Sequence, residues 1–307
     1  MTTNPKKVIF DCDNTMGLPF KEIDDGLTLL YLLGRSDIEL VGITTTFGNG
    51  TVKQSYEQTA TLLRDLSGGD IPIFLGADKR GCGVTEAANF LAQTVAADPG
   101  EIVVLATGPL GNLRAAAELD AAFFGQVKQI VCMGGYLQPL RLGWRNIAEL
   151  NLSADPEATL AVLKATCPVT LMTAHVCLQA AFGWPEWRQT GFWNQKIRGL
   201  VRNWWLAFGL YCGVKEFYLW DLLPAVFISH PDLFDTNQVG IDSTLKDLEM
   251  GRLVLSKTRP ARGVNMPTGI KNINQFKKIL YNAWKSSSLS SFRQEQLAIE
   301  GLIHNER

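Results

Sequence analysis

The feature that most constrains the fold is a regular alternation of short apolar runs with helical stretches, from residue 8 to residue 172. Consecutive parallel strands need a crossover helix between them, so this rhythm predicts an open, mostly parallel, Rossmann-like sheet with helices on both faces. No repeat or linker interrupts it, so residues 1–307 are predicted to form one domain. The predicted strands are 8–10, 39–45, 71–75, 102–105, 129–132 and 169–172. The predicted helices between them are 26–33, 52–66, 85–97, 110–119 and 156–165.

The remaining segments are less regular. Residues 134–152 are predicted to form a long irregular loop. Residues 177–220 are predicted to form an aromatic-rich helical cap region, and most of its tryptophans are expected to pack against the sheet. Further helices are predicted over 222–228 and 273–284, with short strands near 239–242 and 253–256. The Ser-rich, then charged tail over 286–307 is either a terminal helix or a frayed end.

Composition narrows the classes of function. Apolar residues make up 46% of the chain, which is enough for a sizeable core, and the net charge of −1 argues against nucleic acid or a membrane surface as partner. No apolar run is long enough to span a membrane, and the polar start lacks the pattern of a signal peptide. Six scattered cysteines form no CxxC motif, so reduced thiols and a cytoplasmic location are expected.

Acidic residues cluster where the first strand ends. Asp11 and Asp13 follow its apolar residues, and Asp24 and Asp25 open the next helix. Carboxylates held close together repel each other unless a cation lies among them, so the pattern favours a hard divalent metal on oxygen ligands. The alternative is two ordinary events, a turn aspartate and a helix N-cap aspartate.

Other polar and glycine-rich stretches also follow predicted strands. Parallel strands place their carboxyl ends on one edge, where α/β sheets bind ligands, so these stretches should converge there. Each has an ordinary explanation alone, as a turn, a helix cap or a solvated loop charge. The residues in question are Asn49, Thr107, Asn112, Met133, Glu149, Asn151 and Asp221.

Taken together, these motifs resemble the nucleoside hydrolases of the inosine–uridine type. The similarity runs from about residue 7 to residue 226, and it rests on the combination of motifs rather than on any one of them. They are Asp-Cys-Asp at 11–13, Asp-Asp at 24–25, Gly-Asn at 48–49, Ala-Thr-Gly-Pro-Leu-Gly-Asn at 106–112, Met-Gly-Gly at 133–135, Ala-Glu-Leu-Asn at 148–151 and Trp-Asp at 220–221.

The resemblance implies a Ca²⁺-dependent hydrolysis of the N-glycosidic bond of ribonucleosides. It assigns the calcium to Asp13, Asp25, the backbone carbonyl of Thr107 and Asp221, with Asp13 also the catalytic base. It assigns the sugar hydroxyls to Asp24, Asn49 and Asn151, the 5′-hydroxyl to Glu149, and the wall beside the ribose to Met133. It also implies a homo-oligomer, a dimer or a tetramer.

The chain departs from the family pattern in four places. Ten residues, 14–23, separate Asp13 from the Asp pair where relatives have three, so this insert is expected to loop out. The loop that clamps the base in relatives is reduced to residues 77–84. Trp220 stands where many relatives have a histidine that protonates the base, and it is expected to stack on a purine, with packing in the core as the alternative. His175 is either a substitute proton donor or a buried structural histidine, and the second is favoured.

Two other functions compete with this interpretation. The opening Asp11-Cys12-Asp13-Asn14-Thr15 also resembles a Mg²⁺ phosphatase of the haloacid dehalogenase type, in which the first aspartate attacks phosphorus. The later motifs of that class do not fit. The second alternative is a relative that binds a nucleoside or ribose without cleaving it.

Overall fold

The computed structural model describes residues 4–66, 70–258 and 263–288. Its centre is an eight-stranded sheet with the order β11-β12-β8-β5-β4-β1-β2-β3. Every pair is parallel except β11 with β12, so the predicted fold class is confirmed. The sheet strands are β1 Lys6–Cys12, β2 Ile38–Thr45, β3 Ile73–Leu75, β4 Ile102–Ala106, β5 Gln129–Met133, β8 Val169–Met172, β11 Gln238–Val239 and β12 Val264–Asn265.

Helices follow the strands as the alternation predicts. Several begin at a polar cap: Thr51 and Gln54 form a capping box at α2, and the Asp155 carboxylate caps α6. The helices are α1 Asp24–Leu33, α2 Val52–Asp65, α3 Glu86–Ala97, α4 Gly111–Leu119, α5 Phe123–Gln126, α6 Pro156–Leu163, α7 Ala174–Cys177, α8 Trp184–Gln189, α9 Gln195–Cys212, α10 Leu222–Ser229, α11 Leu245–Leu248 and α12 over 273–288, with a 3₁₀ turn at Pro231–Leu233.

Side-chain alternation along β1 shows how the sheet divides the core. Val8, Phe10 and Cys12 contribute to the cluster on one face, and Ile9 contributes to the cluster on the other. Both faces of a strand are buried because helices cover both sides, which explains the continuous apolar run. Helix α1 is held against α12 by a hydrogen bond from Trp284 Nε1 to the carbonyl of Leu27, at 2.9 Å.

The structure corrects several boundaries. The loop predicted over 134–152 contains a hairpin of β6 Leu140–Leu142 and β7 Arg145–Ile147, and a second small ribbon pairs β9 Ala181–Phe182 with β10 Phe217–Tyr218. Residues 253–256 form no strand, only an isolated bridge between Leu255 and Ile241. Strand β12 was not predicted. The predicted tail lies outside the described residues from 289 onward.

All six cysteines are free thiols, and five of them are buried. Among the described residues, no helix has the length and apolar character needed to cross a membrane.

Candidate active site

A pocket opens at the carboxyl ends of the central strands, where the sequence predicts convergence. Eight of the ten predicted site residues line it, and the other two, Asp13 and Asp25, lie buried beneath it with at most 2% of their surface exposed. Parallel strands β1, β4 and β5 end side by side, and this adjacency assembles residues far apart in sequence. The eight lining residues are Asp24, Asn49, Thr107, Met133, Glu149, Asn151, Trp220 and Asp221.

Asp11 lies behind this pocket rather than in its lining. It is fully buried, and its Oδ1 accepts hydrogen bonds from Thr44 Oγ1 at 2.6 Å and Asn112 Nδ2 at 2.7 Å. Burial outweighs these bonds and raises the pKa of Asp11 to about 7. A carboxylate buried in this way between strands is poorly placed as the nucleophile of a phosphatase.

Asp13 is held by backbone at the end of β1. Its Oδ2 accepts the backbone N–H of Asn49 at 2.5 Å, while its Oδ1 is buried without a hydrogen-bond partner. Gly48 makes this approach possible: it has φ +154°, and a Cβ there would lie 2.0 Å from Asp13 Oδ2. Burial is the main reason that the pKa of Asp13 is raised to about 7, and the charge of Glu22 adds to it.

Three more aspartates complete the acidic floor. Asp25 Oδ1 accepts a hydrogen bond from Thr107 Oγ1 at 2.6 Å. Asp25 lies beside Asp13, and Asp24 lies beside Asp221. The pKa values of Asp25 and Asp221 are raised well above the ordinary value. Burial is the largest cause, and repulsion from the neighbouring aspartates is the second. Asp24 Oδ1 has no hydrogen-bond partner. Four carboxylates in one dry floor are costly without a compensating positive charge.

The donor set fits a hard divalent cation by its chemistry. It offers buried carboxylate oxygens, two of them unpaired, together with the carbonyl of Thr107. Within the described ranges, no three His, Cys, Asp or Glu side chains already converge as a finished ligand shell. The observation that supports a metal is therefore the cluster of buried carboxyl groups with two unpaired oxygens, and it does not select one metal.

Thr107 and Asn151 are tied together on the other side of the floor. Asn151 Nδ2 donates to the Thr107 carbonyl at 2.8 Å, and it also lies 3.3 Å from the carbonyl and the sulfur of Met133. A carbonyl has two lone pairs, so Thr107 retains one for a cation. The Asn151 carboxamide retains its oxygen for a ligand.

Glu149 closes one wall of the pocket with its carboxylate already engaged. It accepts the backbone N–H groups of Leu152 and Ser153 at 2.9 Å each, and so it stabilises the turn that presents Asn151. Burial raises its pKa, and these N–H donors oppose the rise.

The opposite wall is apolar and aromatic. Trp220 lines it with 8% of its surface exposed, and its ring packs against Tyr218 at a centroid distance of 5.3 Å. Tyr136 and Phe208 also line the pocket. Sequence reasoning missed both, because Phe208 lies in α9 among residues interpreted as packing, and no local motif marks Tyr136.

The insert over 14–23 loops out in its middle, where residues 17 and 19–21 are exposed, while its two ends are held against the protein. Asn14 and Met16 are buried, and Asn14 Nδ2 donates to Thr59 Oγ1 on α2 at 3.2 Å. At its other end, Glu22 lines the pocket and accepts Asn49 Nδ2 at 2.9 Å. The expectation therefore holds for the middle of the insert, whereas its length alone did not predict that Glu22 would reach the pocket. A glutamate two residues before Asp24 was the available signal.

Two other departures from the family pattern, His175 and the loop over 77–84, lie outside the pocket lining. His175 is half-buried on α7, and only its neighbour Ala174 reaches the pocket. The loop over 77–84 is tied elsewhere, with Ala77 N donating to Asn112 and Gly81 N donating to Asp155. Neither His175 nor the loop over 77–84 supplies a group to the pocket.

Comparison with known proteins identifies the family. The model of the inosine-uridine preferring nucleoside hydrolases matches residues 8–278. The chain belongs to that family. It is 28% identical to uridine nucleosidase 1 of Arabidopsis thaliana, over 80% of this chain and 83% of that protein. It is 30% identical to the inosine-uridine preferring nucleoside hydrolase of Crithidia fasciculata, over 57% of this chain and 62% of that protein.

Solved structures of nucleoside hydrolases share the fold. A plant nucleoside hydrolase superposes with a TM-score of 0.80 at 21% identity, over 92% of this chain and 99% of that one. A purine-preferring ribonucleoside hydrolase from Gardnerella vaginalis gives 0.81 at 21% identity, over the same shares. Family membership makes this chain a nucleoside hydrolase and removes the phosphatase alternative, whereas the roles of the individual residues stay predictions.

Proposed function

We propose that this chain hydrolyses the N-glycosidic bond of ribonucleosides with the help of Ca²⁺, releasing ribose and a free base, with purines preferred. The observation that carries the proposal is the acidic floor: Asp13, Asp24, Asp25 and Asp221 are buried, two in the lining of one pocket and two beneath it, and unpaired oxygens remain on two of the four. Such a floor suits an ion that accepts six to eight oxygen ligands in flexible geometry.

Asp13, Asp25, Asp221 and the Thr107 carbonyl would hold the ion, which when bound makes a water more acidic and grips the sugar diol. Asp13 is then the general base. The N–H of Asn49 holds its Oδ2, so Oδ1 is the atom left to take a proton from water.

The other polar residues hold the sugar. Asp24, Asn49 and Asn151 would bind its hydroxyls; the support is that each of them lines the pocket. Met133 covers the ribose, and Glu149 reaches the 5′-hydroxyl or holds the turn that shapes that wall. The positive charge that develops on the sugar during bond cleavage is stabilised by the carboxylates beneath it.

Purine preference follows from the aromatic wall. A purine offers more ring surface than a pyrimidine to Trp220 and Phe208, and stacking on an aromatic face is worth roughly 1–3 kcal/mol per base. Curated relatives include both uridine nucleosidases and an inosine-uridine preferring enzyme, so the base preference needs a direct measurement.

A homo-oligomer and a cytoplasmic location belong to the same proposal. Apolar side chains stand exposed on and beside α9, among them Leu206, Leu210 and Trp184 at 60%, 80% and 61%. Free thiols suit a reducing compartment. Light scattering that returned a single chain at all concentrations would refute the oligomer.

The test is a reducing-sugar assay on inosine, adenosine, uridine and cytidine, with calcium and with a chelator. The proposal predicts ribose release that needs the metal and a higher kcat/KM for inosine than for uridine. Tight nucleoside binding without sugar release would identify a non-catalytic relative. Full activity in the chelator would refute the metal, and a higher kcat/KM for uridine would refute the purine preference.

A further inference from the structure

Asn49 is hydrogen-bonded both to the acidic floor and to the segment over 14–23. Its backbone N–H donates to Asp13 Oδ2, its side-chain Nδ2 donates to Glu22 Oε2 at 2.9 Å, and its carbonyl accepts Lys21 Nζ at 2.6 Å. Two of these three bonds come from neighbouring residues at the end of the segment. The orientation of Asn49 therefore depends on a part of the chain that supplies none of the residues assigned above to metal or sugar.

The end of this segment is itself fixed. Thr15 Oγ1 donates to the carbonyl of Glu22 at 3.0 Å, which ties the two ends of the segment together, and Asn14 anchors the first turn to α2. Glu22 is therefore held by its backbone while its carboxylate lies in the pocket lining. A carboxylate held in this way is a firm acceptor for a neighbouring amide.

A carboxamide has one donor end and one acceptor end, and its partners decide which end faces a ligand. Because Asn49 Nδ2 donates a hydrogen bond to Glu22, the carboxamide oxygen is left to accept a hydrogen bond from a hydroxyl. A side chain without an acceptor oxygen at position 22 would let the amide rotate, and it would then present either end to the sugar.

We propose that Glu22 is a positioning residue: it holds the Asn49 carboxamide so that its oxygen accepts a hydrogen bond from a sugar hydroxyl. The inference rests on the proposed function and extends it by making the segment over 14–23 part of the sugar-binding wall. Glu22 acts through Asn49 and not through its own contact with substrate.

A double-mutant cycle tests this dependence. Glu22→Ala is expected to lower kcat/KM for inosine about tenfold, mainly through KM, and Asn49→Ala by at least as much. The double variant is expected to match Asn49→Ala, because the partner that Glu22 holds is then absent. Losses that multiply would overturn the proposal, since Glu22 would then act independently of Asn49.

Two further variants separate positioning from a general structural role. Glu22→Gln keeps an acceptor oxygen for the Asn49 amide and is expected to recover most of what Glu22→Ala loses. Glu57→Ala removes an exposed carboxylate on α2 and is expected to behave as wild type. A Glu22→Gln enzyme as impaired as Glu22→Ala would contradict the proposal.

One measurement does not depend on turnover. The exchange rate of the Asn49 side-chain amide protons, followed by NMR, should rise about tenfold or more in Glu22→Ala because their acceptor is lost. An unchanged rate would overturn the inference even in an active enzyme. A raised rate in a protein that cleaves no nucleoside would uphold the Glu22–Asn49 contact and refute the proposed function instead.

Discussion

Replacing Asp13 by asparagine separates chemistry from binding. Asparagine has nearly the same shape, and its oxygen can still accept the backbone N–H of Asn49, so the floor should keep its geometry. What disappears is the ability of Oδ1 to take a proton. General-base catalysis contributes roughly 10²- to 10⁴-fold, so we expect kcat to fall by about that factor while KM changes by less than about threefold.

The assay is ribose release from inosine at saturating calcium, with Asp11→Asn as a matched control. Asp11 lies two positions away on the same strand end and is equally buried, but it is absent from the pocket lining. Its asparagine variant can keep the bonds from Thr44 and Asn112 and should lose less than about tenfold in kcat. An Asp13→Asn enzyme with normal kcat and a raised KM would refute the assignment of the base. An Asp11→Asn enzyme as inactive as Asp13→Asn would refute the contrast between the two residues.

Three further predictions concern stability and specificity. In chelator, Asp11→Asn should stabilise the fold by at most about 4 kcal/mol at pH 8, and by less at pH 5, in urea unfolding. The sign follows because a folded pKa raised from 3.8 to about 7 makes wild-type stability fall as pH rises between those values. Trp220→Ala should lower kcat/KM for inosine more than for uridine, by about tenfold in ratio. Gly48→Ala should lower kcat at least about tenfold, because its Cβ would displace Asp13.

For each of these three predictions, a specific result would contradict the reasoning. Equal stabilisation by Asp11→Asn at both pH values would mean that its charge is not the cause. A Trp220→Ala enzyme that loses uridine and inosine activity alike would place the tryptophan in general packing. A fully active Gly48→Ala enzyme would show that the backbone can move aside without disturbing Asp13.

The sequence was most informative where both faces of a strand are buried. The six predicted strands of the sheet all exist, with boundaries within about two residues, because continuous apolar runs between helices have few alternatives. Strand β12, which is two residues long, was missed, and strand 253–256 was wrongly predicted because only Leu255 forms an isolated bridge there.

The site residues that follow strands could be predicted from the sequence, whereas those that enter the pocket from other segments could not. The convergence of Asp13, Thr107 and Met133 was predicted because they lie at the carboxyl ends of parallel strands, which meet at one edge of the sheet. Side-chain directions follow no such rule: Glu22 lines the pocket, although the insert that carries it was expected only to loop out. Phe208 reaches the pocket from the cap helices, and no short-range pattern specifies how a helix packs over a sheet edge.

The most direct test of the acidic floor is calorimetric titration of calcium into chelator-stripped protein. If carboxylates from β1, α1 and the start of α10 share one ion, wild type should bind one calcium per chain. Asp221→Asn should weaken that binding at least about tenfold. A wild-type protein that binds no calcium, or an Asp221→Asn variant that binds it equally well, would contradict the account.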